Sequence, residues 1–343
     1  MDSPDIFLRA VGTALPGPPV TNAMLAQRFG LNPLWEQWVD TFIGTDSRHL
    51  SVDLATGEVR YRLVDLGEQA ARRALDAAGI DAAEVDLMVL GTASPDRLMP
   101  ATVNMVAERL GVNDVSTYQL QSGCTGALGA LDVAHQLLST GRHRTALVIG
   151  GDVCAKHFDT TVDPTSLPPE QQVNGVLFGD GAGAAVLTAQ PGPGAAAVRR
   201  IFVRLVGLNR APGQIVEWFG VADRGSDLPP VVEDYKAIEA CVPSLACEIL
   251  EELLSSLDWK RDEVDYLLPP QLSGRMTARI AEALDLPDAL EVTCVRETGN
   301  TGNALPFLQL ERALPRMVGG DRALAIAVES SKWIKAGLAL EKV

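Results

Sequence analysis

Cysteine and histidine are scarce. Cys124, Cys154, Cys241, Cys247 and Cys294 are the five cysteines in 343 residues, scattered without Cys-x-x-Cys spacing. An odd, dispersed set excludes a disulfide framework and a zinc site and fits thiols in a reducing compartment. The four histidines, His49, His135, His143 and His157, form no ligand cluster with them, so no metal is expected. Basic residues are outnumbered, 29 Lys and Arg against 44 Asp and Glu, for a formal charge of −15. That balance argues against a general nucleic-acid surface and against attraction to anionic lipid. No run of 18 apolar residues is present, and Met1-Asp2-Ser3-Pro4 has neither the basic region nor the apolar core of a secretory signal, so a cytoplasmic protein away from membranes is expected. The apolar content is ample for two domains or one large two-part core.

What is present alternates. Helical periodicity near 62–79, 101–110 and 124–140 is interleaved with β-rich runs at 85–92, 116–120, 144–150 and 181–188. The second half repeats the order, with helices near 234–256, 274–284 and 303–316 and strands at 264–268, 291–295, 322–328 and 336–341. This predicts an α/β fold. Gln190-Pro191-Gly192-Pro193-Gly194 continues neither neighbouring element, and a boundary there divides the chain into 1–190 and 191–343. The stretches 157–174 and 208–232 read as long loops able to cover an active site.

An internal duplication underlies the alternation. Gly123-Cys124-Thr125-Gly126-Ala127 matches Gly299-Asn300-Thr301-Gly302-Asn303, Glu84-Val85-Asp86 matches Glu263-Val264-Asp265, and Arg144 to Ile149 matches Arg322 to Ala327. Three collinear matches at nearly one spacing indicate two half-domains. A fold built from such halves brings Cys124 and Asn300 together. Cys124 follows a strand and opens a helix, a setting in which backbone N–H groups and the helix dipole favour the thiolate, the form that attacks and leaves thioesters. Asn300 offers an amide donor to a developing oxyanion; helix capping is its alternative role. Glu297, Glu329 and His157 are the candidate bases.

Trp38-Val39-Asp40-Thr41-Phe42-Ile43-Gly44, Gly123-Cys124-Thr125-Gly126, Gly151-Asp152-Val153, Phe178 to Leu187 and Gly299-Asn300-Thr301 together resemble ketoacyl-acyl-carrier-protein synthase III and its relatives. The resemblance spans nearly the whole chain. It implies a thiolase fold of five layers, α-β-α-β-α, made of two duplicated halves; a homodimer; Cys124 as the acylated nucleophile; Asn300 as an active-site donor; and a tunnel for phosphopantetheine. No cofactor is implied, since the phosphopantetheine thioester, on acyl carrier protein or coenzyme A, is the substrate. Met99 would reach the partner subunit's pocket.

The departures bear on the reaction. Where the family has Pro-His-Gln-Ala-Asn, this chain reads Pro269-Pro270-Gln271-Leu272-Ser273, so Pro270 replaces the active-site histidine and Ser273 its partner asparagine. A Glu329-Ser330-Ser331-Lys332-Trp333-Ile334-Lys335 segment replaces the family's glycine-rich loop. Losing one oxyanion donor costs roughly 3 kcal/mol, about two orders of magnitude in rate. Acyl transfer to an oxygen, nitrogen or already acidic carbon nucleophile needs no decarboxylation and tolerates the loss better. Related proteins of polyketide pathways acylate sugars or carriers, or close tetronate rings, and the departures fit both. A decarboxylating synthase and a non-catalytic subunit of a heterodimeric complex are the alternatives. Trp38 resembles the residue that stacks on the adenine of coenzyme A, but Phe42 stands where the family has the sandwiching arginine, which favours acyl carrier protein. Arg275 and Arg279, with Lys156, form a candidate docking patch for that acidic partner. Gly179-Asp180-Gly181 reads as a hairpin turn.

Overall fold

A computed structural model describes residues 5–154, 162–166, 169–218, 225 and 231–343. The first half opens with β1 (Phe7–Ala14). A small antiparallel pair, β2 (Val20–Thr21) and β3 (Ser47–Arg48), then brackets helices α1 (Asn22–Phe29) and α2 (Pro33–Phe42). It continues through α3 (Leu63–Ala78), β4 (Leu87–Thr92), α4 (Thr102–Leu110), β5 (Ser116–Gln121), α5 (Gly126–Ser139), β6 (Thr145–Asp152), α6 (Pro169–Leu177) and β7 (Gly181–Thr188). The second half begins with β8 (Ala196–Leu205) and a ribbon of β9 (Gln214–Val216) and β10 (Val231–Glu233). Then come α7 (Tyr235–Leu257), β11 (Tyr266–Leu268), α8 (Gly274–Leu284), β12 (Leu290–Glu291), α9 (Val295–Thr298), α10 (Leu305–Ala313), β13 (Arg322–Glu329) and β14 (Ile334–Lys342).

Ten of the strands make one mixed sheet, ordered β5-β4-β6-β7-β1 in the first half and β12-β11-β13-β14-β8 in the second. Equivalent strands occupy equivalent places, which is the duplication read from the sequence. The halves join where Phe7 and Leu8 pair with Ala197 and Ala196. Because side chains alternate across a strand, each half-sheet has two faces to bury. Leu87, Val89, Ala146 and Val148 on one side and Leu268, Ala323 and Ala325 on the other enclose the central helices α5 and α10. The outward faces pack on α3 and α4 through Met88, Leu90 and Ile149, and on α7 and α8 through Leu267, Leu324 and Ile326. The stack is the five-layered α-β-α-β-α thiolase fold.

Two glycines let the central helices start close to the sheet. A Cβ on Gly91 of β4 would stand 2.2 Å from the carbonyl oxygen of Gly126, the first residue of α5. One on Gly183 of β7 would stand 2.2 Å from Cβ of Phe307 in α10. These approaches draw together the two turns that carry Cys124 and Asn300.

Several expectations change. Periodicity does not identify β1 or β8, because Arg9 in one and Arg199, Arg200 and Arg204 in the other interrupt the apolar alternation. The strand expected over 291–295 shrinks to Leu290–Glu291, and the chain turns into α9. The stretch 208–232 contains β9 and the start of β10 rather than loop alone. Gly179-Asp180-Gly181 is no hairpin turn; it feeds β7, whose antiparallel neighbour β6 precedes α6. Residues 190–194 connect β7 to β8, and on that basis the division into 1–190 and 191–343 is proposed. Among the described residues no helix is long and apolar enough to cross a membrane.

Candidate active site

Cys124 sits on a tight turn between β5 and α5, closed by Gly126 N–H donating to the Gly123 carbonyl at 2.9 Å. Asn300 follows α9. Its N–H donates to Leu177 O at 2.8 Å, and its carbonyl accepts from Gly179 N–H at 3.1 Å. Its side-chain Oδ1 accepts from Gly302 N–H at 3.0 Å. With the oxygen engaged, the NH2 group is what the side chain offers a ligand. Both residues line a cavity of about 500 Å³ and a smaller one of about 30 Å³. The structure therefore brings the repeat-matched pair to one site.

Asn303, the last residue of the second repeat copy, ties the two turns together. Its Oδ1 accepts from Ala127 N–H at 2.8 Å, and its Nδ2 donates to Ser122 O at 3.1 Å and to Asp152 Oδ2 at 2.9 Å. Asp152 also accepts from Thr92 Oγ1, Ala93 N–H, Ser94 and Asn303 N–H. Burial raises its pKa, and the hydrogen bonds oppose that rise. Glu329, at the end of β13, lies under the nucleophile turn. Its Oε2 accepts from Ser122 Oγ and Thr125 Oγ1, each at 2.7 Å, and Ser331 Oγ donates to its Oε1. A Cβ at Gly123 would lie 3.1 Å from its Cδ, so glycine there admits the carboxylate.

These surroundings overturn the thiolate expectation. Burial, then the charges of Glu329, Asp152 and Glu233, push the Cys124 thiol up to about 12. The helix-start dipole is outweighed by desolvation and three carboxylates. Alkylation of Cys124 by iodoacetamide should accelerate about tenfold per pH unit from pH 7 to 10. A rate that levels off near pH 8 would contradict this environment.

The other expected residues separate. Trp38 and Phe42 lie at the larger cavity with ring centroids 6.4 Å apart, and Phe42 is 65% exposed. Ser273 lines the same cavity while capping α8, its Oγ accepting from Met276 N–H at 3.1 Å. Pro270 lines the smaller cavity with Cys124 and Asn300. Arg275 is exposed on α8, its N–H bonded to Ile43 O at 3.1 Å. Met99 is 85% exposed. Glu297 is not brought to the site: α9 turns it to the surface, where it pairs with Arg312 at 3.1 Å. Glu329 lines neither cavity, and its hydrogen bonds make it a support for the turn instead of a free base. His157 and Lys156 lie outside the described residues. Sequence reasoning missed Asn303, although its place in the repeat marked it, and it missed Glu233 with its neighbours Gln214, Asn174 and Tyr235. For Glu233 no sequence signal existed.

Residues 118–201 match the family described as 3-oxoacyl-[acyl-carrier-protein (ACP)] synthase III, and residues 254–330 match its C-terminal part. The beta-ketoacyl-[acyl-carrier-protein] synthase III of Paramagnetospirillum magneticum is 32% identical over 313 residues, covering 91% of this chain and 89% of that protein. Among solved structures, AbyA1, described as a tetronic acid condensing enzyme, superposes with a TM-score of 0.95 at 60% identity, covering 98% of this chain and 99% of the other. The synthase III of Pseudomonas aeruginosa PAO1 gives 0.82 at 26% identity, with 98% of each chain covered. Likeness that runs through nine-tenths of a synthase III chain, and is not confined to the nucleophile turn, makes this protein a member of the 3-oxoacyl-[acyl-carrier-protein] synthase III family and an acyl-transferring enzyme.

Proposed function

We propose that Cys124 takes an acyl group from a phosphopantetheine thioester on acyl carrier protein and passes it, without decarboxylation, to a small-molecule or carrier-bound acceptor in natural-product biosynthesis, with tetronate-type ring formation as the product chemistry. The observation that carries this reading is Pro270. It stands on the wall of the small cavity shared by Cys124 and Asn300, where it has no N–H to offer an enolate oxygen. Asp152, Glu233 and Glu329 all raise the thiol's pKa, and the same field opposes the approach of a malonyl carboxylate. The likeness to AbyA1 supports the ring chemistry.

A carrier protein fits the cavity mouth better than coenzyme A, because Phe42 supplies a ring where an arginine would clamp adenine, and Arg275 and Arg279 are exposed on α8. The protein would act in the cytoplasm as a homodimer. Leu98 and Met99, adjacent and 69% and 85% exposed, are apolar residues suited to a partner subunit.

Intact-mass measurements with a panel of acyl carrier proteins test this. An acyl adduct should form and then discharge onto a glyceryl carrier thioester, while carbon dioxide release from malonyl carrier protein should stay below about 1% of that rate, as loss of the donor implies. Release as fast as acyl transfer would establish the decarboxylating reaction. Absence of any adduct would favour a non-catalytic subunit.

A further inference from the structure

Two carboxylates occur among the described residues lining the larger cavity: Glu239, exposed on α7, and Glu233, at the end of β10. Glu233 is held in place. The Gln214 amide donates to its Oε1, and the Tyr235 hydroxyl contacts both its Oε2 and the side chain of Asn174. Asn174 is a third side-chain hydrogen-bond partner, which leaves the carboxylate room for one further donor. Asp152 and Glu329 act more strongly on the Cys124 thiol, yet their oxygens are taken up by the hydrogen bonds described above, and neither residue lines either of the two cavities that Cys124 borders.

We infer that Glu233 is the base of this enzyme, moving the proton in both halves of the transfer. The inference rests on the acyl-transfer reading above. In the first half the Cys124 sulfur forms a bond to the thioester carbonyl carbon, its proton passes to Glu233, and the bond to the carrier sulfur breaks; the carrier thiolate then takes the proton from Glu233. In the second half an acceptor hydroxyl oxygen bonds to the acyl carbon as its proton passes to Glu233. The bond to the Cys124 sulfur breaks, and that sulfur recovers the proton. No oxidant or reductant is needed. A base that collects a proton and returns it suits a thiol whose surroundings disfavour the free thiolate. Burial raises the Glu233 carboxyl above its ordinary range against the pull of its hydrogen bonds, which moves it toward the strength such a group needs.

The test uses acetoacetyl-pantetheine as donor and glyceryl-pantetheine thioester as acceptor, with rapid-quench intact mass to follow loading and discharge separately. Glu233→Gln should slow both half-reactions by about 10²-fold or more. Glu233→Asp should recover part of the rate, and added formate should partly restore Glu233→Ala. Loading and discharge by Glu233→Gln within about threefold of wild type would overturn the assignment. So would a slow Glu233→Ala that formate does not rescue and Glu233→Asp does not improve, since only a structural role predicts that pattern. If the wild-type adduct forms but never discharges, the transfer reading fails instead, while the loading step still decides the role of Glu233.

Discussion

Cys124→Ala should form no acyl adduct with any carrier protein and should lose transfer activity by about 10⁴-fold or more. The magnitude follows from the absence of a substitute. Cys294 is buried, hydrogen-bonded to Gln271, and raised to about 11 chiefly by that burial. Cys154 is raised well above an ordinary thiol, again by burial first. Cys241 and Cys247 lie on α7 and line neither cavity. Peptide mapping of the wild-type adduct should find the added mass on Cys124 alone. Added mass that persists in the Cys124→Ala protein would remove the sulfur from its assigned role.

Asn303→Ala should lower stability by about 3–5 kcal/mol, read as a fall in the urea midpoint at unchanged slope. The side chain makes three hydrogen bonds to the first half. Its removal leaves the Ala127 N–H unpaired at a buried helix start and takes one donor from buried Asp152. One unpaired buried N–H, together with the loss of one hydrogen bond to a buried carboxylate that keeps its other donors, accounts for that range. A loss below about 1 kcal/mol would mean that a neighbouring acceptor moves to take the Ala127 N–H and the remaining donors cover Asp152. Because Ser122, Ala127 and Asp152 all frame the nucleophile turn, acylation should slow along with the loss of stability.

The pairing of Cys124 with Asn300 was legible because both copies of the repeat do the same local work: each is a glycine-bounded turn feeding a central helix, and like turns in like half-sheets end at the same place. The α/β class was legible from the alternation of helical and strand periods, and the five layers only from the family resemblance. Glu297 shows where reading along the chain misleads, for three residues before Asn300 is nearly one turn of α9, enough to carry the carboxylate to Arg312. Glu329 was correctly placed in the altered segment, but only its neighbours Ser122, Thr125 and Ser331 reveal that its lone pairs are spoken for. Glu233 lay in Val231-Val232-Glu233-Asp234, a run that reads as the approach to a helix cap, and Asp234 does cap α7 by accepting from Ala237 N–H at 3.0 Å. Its value comes from Gln214 on the facing strand of the ribbon, a contact no local pattern encodes.

The two half-sheets are alike in order but not at their outer margins. At one end β5 presents six residues of strand, and at the other β12 presents only two. An unpaired strand recruits other chains in proportion to the backbone it leaves unsatisfied. Two copies that met β5 against β5 would each use up their one adequate margin, and the stubs left outside are too short to recruit a third. Such an assembly stops at two and does not grow into a filament.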